Sequence, residues 1–281
     1  MNGKNIFRIK EGGRPLIISH GSAWQLGPDN ALVSFEKYMT MKTDFIEMDL
    51  CITKDDVLIT HHDEAMRGND NEYVCIREWM FEDIAKINIA KDYTDIFGNR
   101  PYENELVRVA SFEELMERYG NNSKNIKFMI ELKNTGETGR AAAEVLCNLL
   151  TKYGMEEKAV ICSFDEPTMV HFREFSGGRF YTSTTIDTTR NFVTAALSGK
   201  DDEYICPDRV MSLPMEQEGY DLASKHIIDT AHKHDIAMTY WTISDKPTMI
   251  ELIRRGADGI ITDRPDIMYE LLVEMGYTIW E

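Results

Sequence analysis

Short apolar runs alternate with amphipathic stretches from one end of the chain to the other, and this rhythm limits the possible folds more than any other feature. Apolar runs of a few residues are typical of buried strands, whereas apolar residues at three- and four-residue spacing are typical of helices. Strands that alternate with helices form a mainly parallel sheet. The candidate strands are residues 16–19, 45–50, 57–61, 127–132, 159–164, 179–184, 203–206, 237–243 and 259–262.

The second and third of these runs stand too close together in the sequence to be parallel neighbours. A parallel crossover needs about a dozen residues or more, and only a few residues separate 45–50 from 57–61. We therefore expect an antiparallel hairpin, in which the second strand extends above the barrel mouth and folds back. Eight strands remain, so the predicted fold is an α/β protein of the (β/α)₈ type, a TIM barrel.

The chain carries no sign of an internal domain boundary. No Pro/Gly/Ser-rich linker or low-complexity tract divides its 281 residues, and this length is ordinary for one such barrel. We therefore expect a single domain over residues 1–281. Residues 63–105 are the one long stretch without the strand–helix rhythm, and they predict an insertion beside the active-site face.

The formal net charge of −17 at pH 7 argues against two classes of partner. A surface this acidic repels nucleic acid and anionic membrane faces, so we expect no nucleic-acid partner and no stable membrane anchor. The five cysteines are odd in number and include no CxxC pair, which favours free thiols in a reducing compartment. Because residues 1–13 are polar and no long apolar run follows them, the sequence predicts a cytoplasmic protein and leaves a homo-oligomer open.

Two candidate strands end in a pair of charged residues. Glu47 and Asp49 stand two residues apart in the second run, and Glu131 and Lys133 repeat this spacing at the end of the fourth. Side chains two residues apart lie on the same face of a strand. Because the active site of a (β/α)₈ barrel lies at the carboxyl ends of its strands, we expect these four side chains to converge there.

Three carboxylates that converge on a barrel mouth repel one another unless a cation compensates them. Oxygen ligands of this kind suit one divalent metal, Mg²⁺ or Ca²⁺, better than zinc, which usually takes His or Cys. We therefore predict that Glu47, Asp49 and Glu131 bind this metal. The alternative is that they are strand-end charges that face water.

Two histidines stand where they would reach the same mouth. His20 ends the first strand, and His62 ends the returning arm of the hairpin. Two histidines beside a metal can divide proton transfer, because one takes a proton from the nucleophile and the other donates one to the leaving group. The alternative for each is a hydrogen-bonded structural histidine. That is the role we expect for His61, whose side chain should point to the opposite face.

Two further residues are candidates for substrate binding. Lys133 would place a point charge on a phosphate oxygen, or would only balance the charge of Glu131. Trp241 stands at the end of the seventh barrel strand. It would form an apolar wall for the alcohol part of a substrate, or would pack in the core.

In the order and spacing of these motifs, the chain resembles the glycerophosphodiester phosphodiesterase family. The resemblance covers about residues 16–266, nearly the whole chain. It depends on the combination of motifs, since each of them alone is weak. The matching segments are Ser19-His20, residues 28–32, Glu47-Met48-Asp49, residues 50–56, His62-Asp63-Glu64, Glu131-Leu132-Lys133, Trp241-Thr242 and residues 258–265.

The resemblance implies a TIM barrel in which Mg²⁺ or Ca²⁺ is bound by the three carboxylates named above. It also implies that His20 and His62 are the acid–base pair and that Lys133 lies at the phosphate. The implied reaction cleaves esters of glycerol 3-phosphate to glycerol 3-phosphate and a free alcohol. The neighbouring glycerol hydroxyl would attack phosphorus first, and water would open the resulting cyclic phosphate. The metal would act as a Lewis acid.

The chain departs from the family pattern at Gly21, where the family has an arginine after the histidine. An arginine grips phosphate in a planar, bidentate contact, and losing such a contact costs about 1.5–3 kcal/mol. Three explanations are open: Arg67 takes its place, the substrate differs, or the enzyme is weak. The segment after Asp63 also lacks the usual L-D-R-T-T motif, so it gives no prediction of substrate choice.

The main hypothesis for function is a metal-dependent glycerophosphodiesterase that acts on a small-molecule phosphodiester. The second is a lysophospholipase of the D or C type. The acidic surface and the lack of a membrane-binding amphipathic segment argue against membrane substrates, though not against monomeric lysolipids. The third, suggested by Gly21, is a non-catalytic barrel that binds a phosphorylated ligand. We disfavour it because so many buried charged residues would be costly to keep without catalysis.

Overall fold

Eight parallel strands form a nearly closed barrel in the computed structural model, which describes residues 5–10, 12–21, 25–122 and 124–278. The strands are β1 Leu16–Ser19, β2 Phe45–Ile52, β3 Lys127–Leu132, β4 Ala159–Cys162, β5 Tyr181–Thr182, β6 Val210–Leu213, β7 Ala237–Tyr240 and β8 Gly259–Thr262. Each pairs with its neighbours in chain order except that β5 and β6 form no ladder, and β8 pairs with β1. The predicted (β/α)₈ barrel is confirmed.

The barrel closes between β5 and β6 through single contacts rather than a continuous ladder. Ser183, directly after β5, forms a parallel bridge with Val210. The amide of Thr184 donates to the carbonyl oxygen of Val210 at 2.9 Å. These contacts complete the ring of strands, so the carboxyl ends of all eight strands surround one mouth.

The second strand carries the predicted hairpin. The last residues of β2 pair antiparallel with the short strand Leu58–Thr60, with Leu50 opposite Thr60 and Ile52 opposite Leu58. The amide of His61 then donates to the carbonyl oxygen of Asp49 at 3.1 Å. The returning arm therefore brings the residues after it back to the level of Asp49 on β2. The predicted hairpin, from which we expected His62 near the mouth, is confirmed.

The predicted strand at residues 203–206 is wrong. Residues Asp201–Glu203 form a 3₁₀ turn, and the sixth barrel strand is β6, several residues further along. The apolar character of this run misleads because Ile205 is 89% exposed instead of buried. Pro207 follows at once and has no amide hydrogen to donate to a ladder.

Helices follow the strands around the outside of the barrel, as the amphipathic stretches predict. They are α1 Leu32–Tyr38, α2 Phe81–Ile84, α3 Phe112–Tyr119, α4 Gly136–Lys152, α5 Glu166–Ser176, α6 Ile186–Leu197, α7 Lys225–Lys233, α8 Lys246–Arg255 and α9 Pro265–Glu274. Two apolar layers fill the space between strands and helices, one in each half of the barrel. Within the ranges that the structure describes, no helix is both long and apolar enough to cross a membrane.

The interior of the barrel is a packed apolar core below the mouth. Every barrel strand contributes one buried side chain to it, and Phe7 fills its amino end. The ring of Phe7 lies 4.9 Å from that of Phe45 and 5.2 Å from that of Tyr181, measured between ring centroids. Because this layer is apolar and filled, polar side chains inside the barrel concentrate at the opposite, carboxyl end.

Residues 63–105 pack on the hairpin that extends β2. They contain a second small hairpin, Ala65–Arg67 with Tyr73–Cys75, and the short helix α2. Met66, Ile76 and Ile84 form an apolar cluster with Cys51 and Ile59 of the extended hairpin. The insertion therefore supports the hairpin arm that carries His62.

Candidate active site

The carboxyl ends of the strands surround a cavity of about 240 Å³. Its lining combines residues that are far apart in the sequence, because each strand brings one or two of them to the mouth. Seven of the eight predicted site residues line it, namely His20, Glu47, Asp49, His62, Glu131, Lys133 and Trp241. The structure does not bring the eighth, Arg67, to this cavity.

The three predicted metal ligands lie together on neighbouring strands. β2 and β3 pair in parallel with Asp49 opposite Glu131, and Glu47 lies on the same face two residues earlier. Each of the three carboxylates has an oxygen within 4.8 Å of the others. The two-residue spacing in the sequence therefore becomes a compact group of oxygen donors, because the parallel register places Glu131 level with Asp49.

Burial makes this group electrostatically unfavourable on its own. Glu47 is 6% exposed and Asp49 is 4% exposed, so strand-end charges that face water do not describe them. Burial, and then the charge of Asp49, raise the pKa of Glu47 to about 8. Burial also raises the pKa of Glu131. A cation held between the three would favour their ionised forms.

One lysine is the only permanent cation among the described residues that line the cavity. The ammonium of Lys133 donates to Glu131 Oε1 at 2.7 Å and lies 3.6 Å from Asp49 Oδ1. This single permanent charge does not balance three ionised carboxylates. The donor set is made of hard carboxylate oxygens, without cysteine, so the residues present fit a divalent cation such as Mg²⁺ or Ca²⁺.

His20 follows β1, and a carboxylate contacts one nitrogen of its ring. Its Nδ1 lies 2.8 Å from Asp263 Oδ1, and its Nε2 lies 3.9 Å from Glu47 Oε2. Burial lowers the pKa of His20, but the hydrogen bond to Asp263 and the charge of Glu47 outweigh it and raise the pKa to about 9. The ring is thus fixed, with Nε2 directed towards the carboxylate group.

His62 repeats this arrangement at the end of the hairpin. Its Nδ1 lies 2.8 Å from Asp63 Oδ1, and its Nε2 lies 3.3 Å from the ammonium of Lys133. The bond to His62 lowers the pKa of Asp63. His61 instead directs Nδ1 to the carbonyl oxygen of Asp63 at 2.7 Å and does not line the cavity, as its strand position predicts. Both cavity histidines therefore have a carboxylate at Nδ1 and direct Nε2 towards charged side chains of the cavity.

The residue after Lys133 joins β3 to the hairpin that carries His62. Asn134 is buried, and its Oδ1 accepts from the amide of Ile52 at 2.8 Å. Its Nδ2 donates to Glu64 Oε1 at 2.6 Å. Asn134 thereby joins the end of β3 to the hairpin and to the segment after His62, so it fixes the distance between Lys133 and that histidine.

Gly21, where the family arginine is missing, has a structural explanation. Its amide donates to Glu47 Oε2 at 2.7 Å. A Cβ atom at this position would lie 2.5 Å from the carbonyl oxygen of Glu47 and 2.8 Å from the Cα of Met48. Both neighbours are backbone atoms of β2, which cannot rotate away. The glycine is therefore required for this close approach, and its amide helps to orient one predicted metal ligand.

Arg67 does not take the place of the missing arginine. It ends the small strand Ala65–Arg67, and its Nη1 donates to Asp92 Oδ2 at 2.8 Å on the surface of the insertion. No arginine of the described ranges lines the cavity. The suggestion that Arg67 binds the phosphate followed from its nearness to His62 in the sequence, whereas the fold turns it towards the insertion.

An aromatic pair forms the side of the cavity opposite the carboxylates. Trp241 follows β7 and Phe164 follows β4, and their ring centroids lie 6.2 Å apart. The ammonium of Lys133 lies 5.6 Å from the centre of the Phe164 ring, a distance typical of a cation–π contact. The cavity thus has a charged half at β2 and β3 and an aromatic half at β4 and β7.

Sequence reasoning missed three of these residues. Asp263 directly follows β8, as His20 follows β1, so a polar residue one place beyond a barrel strand was the available signal. Asn134 stands two residues beyond the end of β3, directly after Lys133. Phe164 gave no signal, because an aromatic residue at the end of an apolar run is most often part of the core.

Comparison with known proteins identifies the family of the chain. Residues 20–267 match the Glycerophosphoryl diester phosphodiesterase family. A glycerophosphodiester phosphodiesterase of Caldanaerobacter subterraneus is 23% identical over 271 residues, covering 94% of this chain and 100% of the relative. One of Bacillus subtilis is 22% identical over 270 residues, covering 94% and 88%.

Solved structures share the fold. A glycerophosphodiester phosphodiesterase of Parabacteroides distasonis has a TM-score of 0.69 and 18% identity, covering 94% of this chain and 99% of its own. An Oleispira antarctica phosphodiesterase, solved in complex with the product sn-glycerol-3-phosphate, has a TM-score of 0.70 and 15% identity, covering 92% and 97%. At these identities the structures support the barrel alone. The family match over residues 20–267, which contains every residue of the cavity, shows that the chain belongs to the glycerophosphoryl diester phosphodiesterase family.

Proposed function

We propose that this phosphoric diester hydrolase cleaves glycerophosphodiesters to glycerol 3-phosphate and an alcohol, with His20 and His62 as its acid–base pair. One observation carries the proposal. Two histidines, each with a carboxylate at Nδ1, direct Nε2 into one cavity that also holds three clustered carboxylates and a lysine. A structural role for either histidine would not explain why both present the same nitrogen to the same space.

The proposed cofactor is one divalent cation, Mg²⁺ or Ca²⁺, held by Glu47, Asp49 and Glu131. Such a cation supplies Lewis-acid polarisation of a phosphoryl oxygen and lowers the pKa of a bound hydroxyl. The amide of Gly21 orients Glu47, and the ammonium of Lys133 orients Glu131. The orientation of ligands by such neighbouring groups is a general feature of metal sites.

Proton transfer is assigned to the two Nε2 atoms. Cleavage of the diester requires one group to accept a proton from the attacking hydroxyl and another to donate a proton to the leaving oxygen. The bonds from Nδ1 to Asp263 and Asp63 fix the ring planes, so each histidine exchanges its proton at Nε2. Because the two histidines approach from β1 and from the hairpin, they reach a substrate from different sides.

Lys133 and Trp241 are proposed to position the substrate. The ammonium of Lys133 lies between Glu131 and His62, where it would hold a phosphate oxygen close to the metal site and to His62. Trp241 and Phe164 offer an apolar wall on the other side of the cavity. This division suits a molecule with an anionic centre and a less polar substituent.

Replacing Asp263 with asparagine should lower kcat/KM for glycerophosphocholine by about tenfold to a hundredfold, with little change in KM. The reason is the loss of a charged hydrogen bond to Nδ1, worth about 1.5–3 kcal/mol, and the freedom that an amide gives the ring to adopt the other tautomer. Steady-state kinetics and the pH profile of kcat/KM would measure this. Asp266→Asn is the matched control, since Asp266 lies on α9, pairs with Arg264 and does not line the cavity. Equal activity of the two variants would contradict the role of Asp263.

The experiment that tests the proposed function is an assay of the purified protein on glycerophosphocholine and glycerophosphoethanolamine, with Mg²⁺, with Ca²⁺ and with EDTA. We expect release of glycerol 3-phosphate that requires one of the metals. Calorimetric titration with each metal provides a second readout that does not depend on turnover. Absence of product from folded, metal-loaded protein would overturn the proposal. Full activity in EDTA would overturn its metal-dependent part alone.

The predictions about location and partners belong to the same proposal. The net charge of −17 argues against a nucleic-acid partner and a stable membrane anchor. The odd number of cysteines without a CxxC pair favours a cytoplasmic location. The small-molecule phosphodiester is its expected partner. A homo-oligomer stays open, and sedimentation of the purified protein would decide it.

A further inference from the structure

A second and larger cavity adjoins the catalytic one. It has a volume of about 830 Å³, and it shares Phe164, Thr184, Ser212 and Trp241 with the lining of the catalytic cavity. These four residues lie at the carboxyl ends of β4 to β7. The larger cavity, called here the side groove, therefore opens from the aromatic half of the active site, away from the carboxylates on β2 and β3.

The walls of the side groove are mostly apolar. Helix α6 provides Ile186, Val193 and Leu197, and the segment around β6 provides Leu213 and Leu222. Ile186 is 50% exposed and Leu197 is 52% exposed, so two large aliphatic side chains of one helix face solvent along this groove. Exposed apolar side chains that are grouped in this way are typical of a ligand-binding groove.

The charges along the groove are few. Arg190 and Glu218 are the only ionisable acidic or basic side chains among its described lining residues, and their charges cancel. The groove is therefore not suited to binding a second charged group of the substrate. Its aliphatic walls suit a hydrocarbon chain, for which burial of methylene groups is the main source of affinity.

The sizes of the two cavities also point to a longer molecule. Sites that hold ligands of ordinary size enclose about 300–1,000 Å³, so a catalytic cavity of about 240 Å³ holds little more than the reacting phosphodiester. A phosphate at Lys133 would direct one of its two substituents towards Phe164 and Trp241. Beyond these rings, the side groove is the space into which that substituent extends.

We propose that the side groove binds a single hydrocarbon chain carried by the phosphodiester, so that single-chain, lysophospholipid-like glycerophosphodiesters are better substrates than glycerophosphocholine. This rests on the proposed function. The reaction is unchanged: the P–O bond to the alcohol breaks, and the oxygen of one water ends on phosphorus. One proton of that water ends on the alcohol, and the other ends on the phosphate or in solvent. The chain is carried either by the glycerol or by the leaving alcohol.

The experiment compares kcat/KM for two series of substrates below their critical micelle concentrations. One series is lysophosphatidylcholine with acyl chains from butanoyl to decanoyl, and the other is glycerophosphoalkanols with alkyl chains from butyl to octyl. Glycerophosphocholine is the reference. We expect kcat/KM to rise in one series by up to about fourfold for each buried methylene. The series that rises identifies which side of the phosphate carries the chain.

Leu197→Asn should flatten this dependence on chain length, because it places an amide in the apolar wall. The readout is the ratio of kcat/KM for the longest substrate to that for glycerophosphocholine. Val273→Asn is the matched control, since Val273 is 51% exposed on α9 and does not line the groove. Both positions are exposed, so both variants should fold, and circular dichroism would verify it. An equal ratio in the two variants would overturn the assignment of the groove.

The outcomes separate the two proposals. Cleavage of glycerophosphocholine without any dependence on chain length would overturn the side groove and leave the proposed function intact. Inactivity on every substrate would overturn the proposed function. In that case, calorimetric titration tests the groove by comparing the affinities of decylphosphocholine and phosphocholine. Tighter binding of the alkyl compound, weakened by Leu197→Asn, supports the groove, and equal binding overturns it.

Discussion

Replacing His62 with alanine should lower kcat/KM for glycerophosphocholine by about 10²- to 10⁴-fold, the usual range for losing a general acid or base. The residue lies on the surface arm of a hairpin with its side chain more than half exposed, so the change should leave the fold intact. Its Nε2 is the atom that enters the cavity, 3.3 Å from Lys133. Metal affinity should stay the same, because the three carboxylates are unaltered.

His61→Ala is the control that the chain itself offers. It removes the neighbouring imidazole from the same hairpin, but His61 bonds to a backbone carbonyl and does not line the cavity. We expect it to keep most of the activity. Added imidazole should restore part of the activity of His62→Ala, since the exposed position leaves room for it. Equal kinetics for the two alanine variants would show that His62 is structural.

The fold could be predicted because its determinants are local. β1, β3 and β8 begin and end where the apolar runs do, since buried strands in a barrel are continuous apolar segments. The hairpin also followed from spacing alone, because a short connection leaves no room for a parallel crossover. The error at residues 203–206 has the opposite cause. Exposure of Ile205 is a tertiary property, and a short apolar run does not reveal it.

The catalytic cavity was predictable to the extent that strand alternation determines it. Glu47 and Asp49 share a face by geometry, and parallel pairing then places Glu131 opposite Asp49. Asp263 could not be matched to His20 in this way, because the two are joined only when β8 closes the barrel against β1. The side groove could not be predicted for a similar reason, since its walls come from α6, from the segment around β6 and from the ends of β4, β5 and β7.

Arg67 and Gly21 illustrate the limit of reasoning from a resemblance. Nearness in sequence to His62 made Arg67 the candidate for a missing phosphate contact, yet its guanidinium bonds to Asp92 on the insertion. From the sequence, Gly21 is a lost arginine. In the structure, it is the point where the chain after β1 touches the backbone of β2, a contact between segments that no local pattern encodes.

Gly21→Arg should therefore damage the enzyme, although it introduces the residue of the family pattern. Its Cβ would lie 2.5 Å from the carbonyl oxygen of Glu47, so either β2 or the chain after β1 must move. That movement breaks the 2.7 Å bond from the Gly21 amide to Glu47 Oε2 and displaces a metal ligand. Misplacement of a reacting group by about 1 Å can cost 10²-fold in rate. We expect kcat/KM for glycerophosphocholine to fall by at least this factor, and metal affinity to fall with it.

Gly21→Ala separates the steric effect from the charge. Alanine adds the same Cβ without a guanidinium, so both variants should bind metal more weakly than the natural protein in calorimetric titration. If the arginine also forms a phosphate contact, kcat/KM of the arginine variant should exceed that of the alanine variant. The difference should be no larger than the value of that contact, about 1.5–3 kcal/mol. Activity of Gly21→Arg above that of the natural chain would contradict the close contact with β2. In that case Gly21 would be a defect that a single substitution corrects. The geometry around Glu47 predicts the opposite, because the position of Glu47 depends on Gly21 having no side chain.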